Sequence, residues 1–272
     1  MRNSLAISNI AWPAEETPGI LAALKALGFD ALEIAPSRLW TEPVQAPAAE
    51  RRRLVRWSED HELPIVSIHS LFYTRPDLGL FRDRDTEQNT IRYLHDLGVL
   101  AAELGARVMV FGSPRNRRRG GLPMEEALRR AAAFFHEAAC GLEGTGVCLV
   151  IEPLRPDESD FINTSEEGRH LVEKAEHPLF QLHLDAKSVA AEPGDFPTIL
   201  RLALPHLRHF HVNDPGLGEV GATGLYHEAL GAALRSSGYD RCVSIEMKTL
   251  PGHREAISRS ASFVKKYYLG NR

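Results

Sequence analysis

Short apolar runs alternate with longer amphipathic stretches along the whole chain. Eight runs are short, bounded by turn residues and read as strands: 5–9, 31–35, 65–69, 107–111, 147–152, 180–185, 207–212 and 241–246. The stretches between them are rich in Ala, Leu, Glu and Arg and carry helix punctuation. Thr17 followed by Pro18 opens the first, Pro123 followed by Glu125 and Glu126 opens the fourth, and Thr164 with Glu167 predicts a capping box. Two stops share one pattern, Leu27-Gly28-Phe29-Asp30 and Ser237-Gly238-Tyr239-Asp240. In each a glycine takes the left-handed cap position and an aromatic folds back on the helix. Strands that alternate with helices of this length pair in parallel, because each crossover carries the chain back over the sheet. Eight units in 272 residues, about 34 residues each, predict a closed (β/α)8 TIM barrel. An open doubly wound sheet is the competitor, but Asn9-Ile10-Ala11-Trp12 follows the first strand where GxGxxG would be needed, and no GxxxxGK[ST] occurs.

Composition narrows the picture. Lys and Arg number 32 against 36 Asp and Glu, a net charge of −4 that argues against nucleic acid as a partner. With 43% hydrophobic and 25% charged residues the chain is an ordinary globular one, and no linker-like segment divides it, so one domain over 1–272 is expected. The longest strictly apolar runs, such as 147–151, are far too short to span a membrane. Residues 1–12 are interrupted by Asn3, Ser4, Ser8 and Asn9, which argues against a secretory signal and for the cytoplasm. Cys140, Cys148 and Cys242 lack CxxC spacing and read as small core residues, not as disulfides or zinc ligands.

Active sites of such barrels lie at the C-terminal ends of the strands. Four successive strands end in Glu152, Asp185, His211 and Glu246, separated by 33, 26 and 35 residues. A single acid there reads equally well as a cap or an ion-pair partner. Four on successive strands are harder to read so, since carboxylates converging at the mouth of a barrel would repel one another unless a cation or shared protons compensated them. Three carboxylates with one imidazole suit Mn²⁺ first, with Mg²⁺ or Co²⁺ as alternatives.

The segments that carry these residues resemble the sugar isomerase and epimerase family with a xylose-isomerase-like barrel, which includes ketose 3-epimerases and hydroxypyruvate isomerase. They are Ile151-Glu152-Pro153-Leu154 with Glu158 and Asp160-Phe161-Ile162-Asn163-Thr164, then Leu182-His183-Leu184-Asp185, His209-Phe210-His211-Val212, and Gly238-Tyr239-Asp240 with Ser244-Ile245-Glu246-Met247. The resemblance implies that Glu152, Asp185, His211 and Glu246 hold one divalent ion and that Glu152 and Glu246 also move protons. The ion would stabilise an enediolate while one carboxylate removes a proton next to a carbonyl and the other returns it. A small carbohydrate-like substrate follows, and family members often self-associate, which allows a homo-oligomer.

Other residues have two readings each. His69 closes the third strand and is expected to bind a substrate hydroxyl or relay a proton; Glu158 is expected at the substrate's carbonyl end, or else as a solvated loop acid. Trp12 would wall the pocket against a sugar, or pack as a lid, and Phe72 and Tyr73 share that division. Arg117, within the run Arg115 to Arg119, would recognise an anionic substrate group, or the run is simply solvated. Lys248 would point to the same side as Glu246 if the last strand continues. Ser188 stands where ketose 3-epimerases carry a histidine and is taken as a substrate-side position, and Val212-Asn213-Asp214 follows His211 where they carry an arginine. The competing functions are a keto-polyol dehydratase on the same metal site, a DNA-repair endonuclease, and a sugar-binding barrel without catalysis.

Overall fold

Eight parallel strands hydrogen-bond in chain order and close on themselves: β1 (Leu5–Ser8), β2 (Ala31–Ile34), β3 (Ile65–Ile68), β4 (Val108–Phe111), β5 (Cys148–Ile151), β6 (Phe180–Asp185), β7 (Leu207–Val212) and β8 (Val243–Ile245). The pairing of β1 with β8, Ala6 opposite Ser244 and Ile7 opposite Ile245, makes the closure and removes the open-sheet alternative. The computed structural model describes residues 3–223 and 226–270, so Met1 and Arg2 of the amino-terminal stretch read above lie outside the described residues. Around the barrel run α1 (Thr17–Ala26), α2 (Ala48–Asp60), α3 (Arg84–Leu104), α4 (Met124–Cys140), α5 (Ser165–Ala175), the short α6 (Ala186–Val189), α7 (Phe196–Ala203), α8 (His227–Ser236) and α9 (His253–Val264). Among the described residues, no helix is long and apolar enough to cross a membrane.

The predicted helix signals act locally as their chemistry requires, with one change. After α1, Gly28 adopts φ +72° and the amides of Gly28 and Phe29 donate to Lys25 and Leu24 carbonyls, the double bond of a Schellman cap. At α5, Thr164 Oγ1 accepts from the Glu167 amide at 3.2 Å, but Glu167 Oε2 turns back to the Asn163 amide at 2.6 Å instead of to Thr164, so the box is displaced by one residue. Packing of α4 shows how helices seat on the wall: Ala127, Ala131, Phe134, Phe135 and Ala138 are buried, and the Phe135 ring stacks on Phe180 with centroids 4.3 Å apart.

The inner face is less apolar than the strand pattern suggests. On β6 and β7, Phe180, Leu182 and Phe210 pack outward against helices, while His183, Asp185, His209 and His211 point into the barrel. The cysteines also depart from the core expectation, since Cys140 is exposed and Cys148 and Cys242 are half-buried.

Candidate metal centre

Three of the polar strand-end residues stand one position beyond their strands yet keep one bond to a neighbouring strand. The amide of Glu152 donates to the Phe111 carbonyl at 3.2 Å, that of Glu246 to Val212 at 3.1 Å, and that of His69 to Ile34 at 3.0 Å. Their side chains are thus held by rigid backbone while projecting into the mouth of the barrel. The cavity there, about 200 Å³, is lined by His69, Ser70, Val110, Gly112, Ser113, Pro114, Glu152, Leu154, Glu158, Lys187, Leu217 and Glu246.

Carboxylate oxygens of Glu152, Asp185 and Glu246 lie within 4.8 Å of one another, as do donor atoms of Glu152, His183 and His211. His211 Nδ1 is buried, has no hydrogen-bond partner and lies 3.5 Å from Glu246 Oε2. A buried imidazole nitrogen without a partner, beside three clustered carboxylates, is the donor set a hard or borderline divalent ion takes. Glu152, Asp185 and Glu246 therefore fit such an ion, with His211 Nδ1 beside Glu246 as the further donor. Gly112 belongs to the same cradle, because a β-carbon there would overlap Glu152 Oε2.

A network fixes these donors. Asn213 Nδ2 donates to Glu246 Oε2 at 2.9 Å and to Asp185 Oδ2 at 3.3 Å, and its Oδ1 accepts from the Lys187 amide. Asp185 Oδ1 caps α6 by accepting from the Ser188 amide at 2.6 Å. Lys187 Nζ sits 3.0 Å from Asp185 Oδ2 and 3.2 Å from Glu158 Oε2, a buried cation among acids. Burial works against its ammonium, but Asp185, Glu152, Glu158 and Glu246 outweigh that and raise its pKa. Burial also lifts the Glu152 carboxyl well above the usual range, and neighbouring Asp185 and Glu246 push the same way. Burial would lift Glu246 too, but His211 and His69 hold it well below that range. The two carboxyls at one mouth are thus driven apart.

Other predicted residues divide. His69 and Glu158 line the cavity; His69 Nε2 bonds Ser8 Oγ at 2.6 Å and its Nδ1 lies 3.5 Å from Glu246 Oε1. Trp12 does not wall the cavity: it is fully buried in the core and its Nε1 donates to Thr17 Oγ1 at 3.1 Å. Phe72 packs on Tyr93 and Phe111, whereas Tyr73 is 80% exposed. Arg117 is not on the rim but fully buried, with Nη1 donating to the Glu152 carbonyl at 2.6 Å and Nε and Nη2 without partners. Arg115 and Arg118 are exposed, and Arg119 is spent on Asp160 and the Leu122 carbonyl. Lys248 is exposed because β8 stops at Ile245, so strand alternation no longer sets its direction. Ser188 is buried with an unpartnered Oγ and is not among the cavity residues.

Sequence reasoning passed over Glu33, His183, Lys187, His209 and Asn213. A signal existed for three of them: Glu33 is a charge inside an apolar strand, and His183 and His209 stand two positions before Asp185 and His211, on the same face.

The chain is 24% identical over 149 residues to an L-ribulose 3-epimerase of Mesorhizobium japonicum (strain LMG 29417 / CECT 9101 / MAFF 303099). That match spans 55% of this chain and 50% of the relative, so about half the relative's length is covered. A crystal structure of D-psicose 3-epimerase in the presence of D-fructose superposes over 100% of both chains with a TM-score of 0.82 at 18% identity. The D-psicose 3-epimerase of Clostridium cellulolyticum H10, solved with D-tagatose, superposes over 98% of this chain and 99% of its own with a TM-score of 0.79 at 19% identity. These three proteins to which the chain is similar are sugar epimerases, and the family described as xylose isomerase-like TIM barrel matches residues 21–267. With its closed barrel and that match, the chain belongs to the xylose isomerase-like TIM barrel family.

Proposed function

We propose that the chain, acting as one barrel domain over residues 1–272, is a divalent-metal-dependent epimerase or isomerase of a ketose or related polyol-ketone. The observation that carries this reading is the convergence of Glu152, Asp185 and Glu246 within 4.8 Å, beside the unpartnered His211 Nδ1, at a cavity that Glu152 and Glu246 line. Those four residues would hold the ion, with Mn²⁺ the first choice for this donor set. When bound, it supplies a Lewis acid that stabilises negative charge on the substrate oxygens.

The remaining chemistry belongs to side chains on the page. Glu246, held at the cavity by the Asn213 amide, accepts the proton from the carbon next to the carbonyl. Glu152, whose carboxyl oxygens converge with those of Glu246, returns one. His69, fixed by Ser8, faces the substrate hydroxyls, and Glu158 and Lys187 bind the rest of the polyol chain. Among the described residues that line the cavity, Lys187 is the only Lys or Arg, and it is already paired with Asp185 and Glu158. A neutral polyhydroxy ketone therefore suits the cavity better than a phosphorylated or acidic sugar.

The test is elemental analysis of the protein after loading with Mn²⁺, Mg²⁺, Co²⁺ or Zn²⁺, followed by incubation with neutral ketoses in D₂O. About one ion per chain and deuterium gained at the carbon next to the carbonyl support the proposal. Loss of water from the substrate assigns a dehydratase instead, and no ion under any loading removes the metal reading.

A further inference from the structure

Glu33 lies on β2, away from the strands that supply the four proposed ligands, and is fully buried inside the barrel. Its two oxygens lie 3.0 and 2.9 Å from His211 Nε2. Ser244 Oγ donates to its Oε2 at 2.6 Å, and His209 Nε2 lies 3.2 Å from its Oε1, with Ser67 Oγ on the same His209 nitrogen at 3.3 Å. A charge placed there has no contact with the cavity, because Glu33 is not among the residues that line it. An isolated carboxylate inside a barrel is costly unless it is paired, so its position calls for a use.

We infer that Glu33 is the positioning residue of the metal centre: it takes the Nε2–H of His211, which fixes the ring so that Nδ1, the unpartnered nitrogen, offers its lone pair beside Glu246. The argument is one of tautomer and angle. An imidazole presents a lone pair at only one nitrogen when neutral, and the nitrogen that carries the proton is set by the partner of the other. Glu33 engages Nε2 with both oxygens, and no hydrogen bond competes for Nδ1. Ser244 and His209 hold the carboxylate from two further strands, β8 and β7, so it cannot rotate away. Outer carboxylates of this kind raise the basicity of a ligating histidine and fix its ring, and their loss costs about 10–100-fold in metal affinity. The inference rests on the metal reading proposed above.

Its test uses the full-length protein with Co²⁺ as probe, comparing wild type with Glu33→Gln and Glu33→Asp. The readouts are Kd from chelator competition, the visible Co²⁺ spectrum at saturation, and thermal unfolding of the metal-free protein. The expected result is Co²⁺ affinity about 10–100-fold weaker in both variants, with a changed spectrum at saturation. Glu33→Asp keeps the charge but shortens the arm so that it cannot reach Nε2, and near-normal affinity in that variant alone would reduce Glu33 to a distant charge and overturn the positioning role. Unchanged affinity in both, or weakening that only follows loss of folded protein with an unaltered spectrum, would overturn it as well. If both variants fail to fold, Ser244→Ala, which removes one hydrogen bond from Glu33, is expected to weaken Co²⁺ several-fold, and no change there counts against the role. Absence of Co²⁺ binding by wild type refutes the metal reading itself, which keeps the two failures apart.

Discussion

Replacing Lys187 with methionine is expected to tighten the binding of a divalent ion. The ammonium stands 3.0 Å from Asp185 Oδ2, one of three carboxylates whose oxygens lie within 4.8 Å of one another. Any ion held by those carboxylates comes to within about 5 Å of Nζ. At an effective dielectric of about 20, a single and a double positive charge at that separation repel by about 7 kcal/mol. Most of this is relieved when the four-carbon arm swings toward Glu158, its second partner at 3.2 Å. A residual of about 1.4–2.8 kcal/mol corresponds to a Kd about 10–100-fold lower in Lys187→Met. Metal-free Lys187→Met also loses the countercharge of its acids, so its melting temperature falls and its gain on adding metal exceeds that of wild type. The assay is a Mn²⁺ titration of both proteins, with free Mn²⁺ read by electron paramagnetic resonance, beside melting curves with and without the ion. Equal or weaker Mn²⁺ binding in the variant, with wild type binding normally, would show that the ammonium does not oppose the ion and refute the reasoning.

Four other outcomes follow from the same geometry. Gly112→Ala pushes a methyl against Glu152 Oε2 and is expected to leave the melting temperature within a few degrees while weakening metal binding; intact affinity would mean Glu152 has room to move. Glu246→Gln and Glu152→Gln are each expected to lower turnover on the true ketose at least about 100-fold with the far-ultraviolet dichroism retained, and near-normal turnover in either would end the two-carboxylate scheme. Burial raises Glu192 to about 7 against the opposing bonds from Ser165, so the folded state holds this proton more tightly than the unfolded chain. Its stabilisation is complete below about pH 4.5 and is lost as pH rises through about 7, at most about 3 kcal/mol. Glu192→Gln should therefore gain in melting temperature over wild type at pH 8 more than at pH 5, and a parallel shift at both would contradict the assignment. Arg115→Ala with Arg118→Ala should leave KM for a neutral ketose unchanged, since both side chains are exposed and neither lines the cavity; a rise would place the loop at the substrate.

The strands and helix stops were legible because they depend on local chemistry. Apolar runs and the pair of cap glycines at 28 and 238 carry their information within a few residues. The strand-end acids were legible through topology, since the barrel dictates which end of each strand matters. What escaped was set by distance in sequence. Glu33 meets His211 across 178 positions, and nothing within β2 says which strand its carboxylate faces. Arg117 misled for the converse reason: a run of arginines in a loop suggests solvent or substrate, but the short helical turn at Pro114–Arg117 buries one of them against the Glu152 carbonyl. Trp12 was misplaced likewise, because an aromatic after a strand can turn either toward the mouth or toward α1, and Thr17 supplies the partner its indole needs.

Asn213 carries a consequence for how this barrel can diversify. Loops at the catalytic end of such barrels are usually exchangeable parts, free to vary while the strands keep the fold. Here the first residue past β7 ties Asp185 of β6 to Glu246 after β8 and also receives the Lys187 amide. Grafting a foreign segment after β7 therefore alters three neighbouring units at once. The β6 to β8 arc behaves as a single module, and new specificity is more readily built on the loops after β1 and β2, which supply none of the cavity-lining residues.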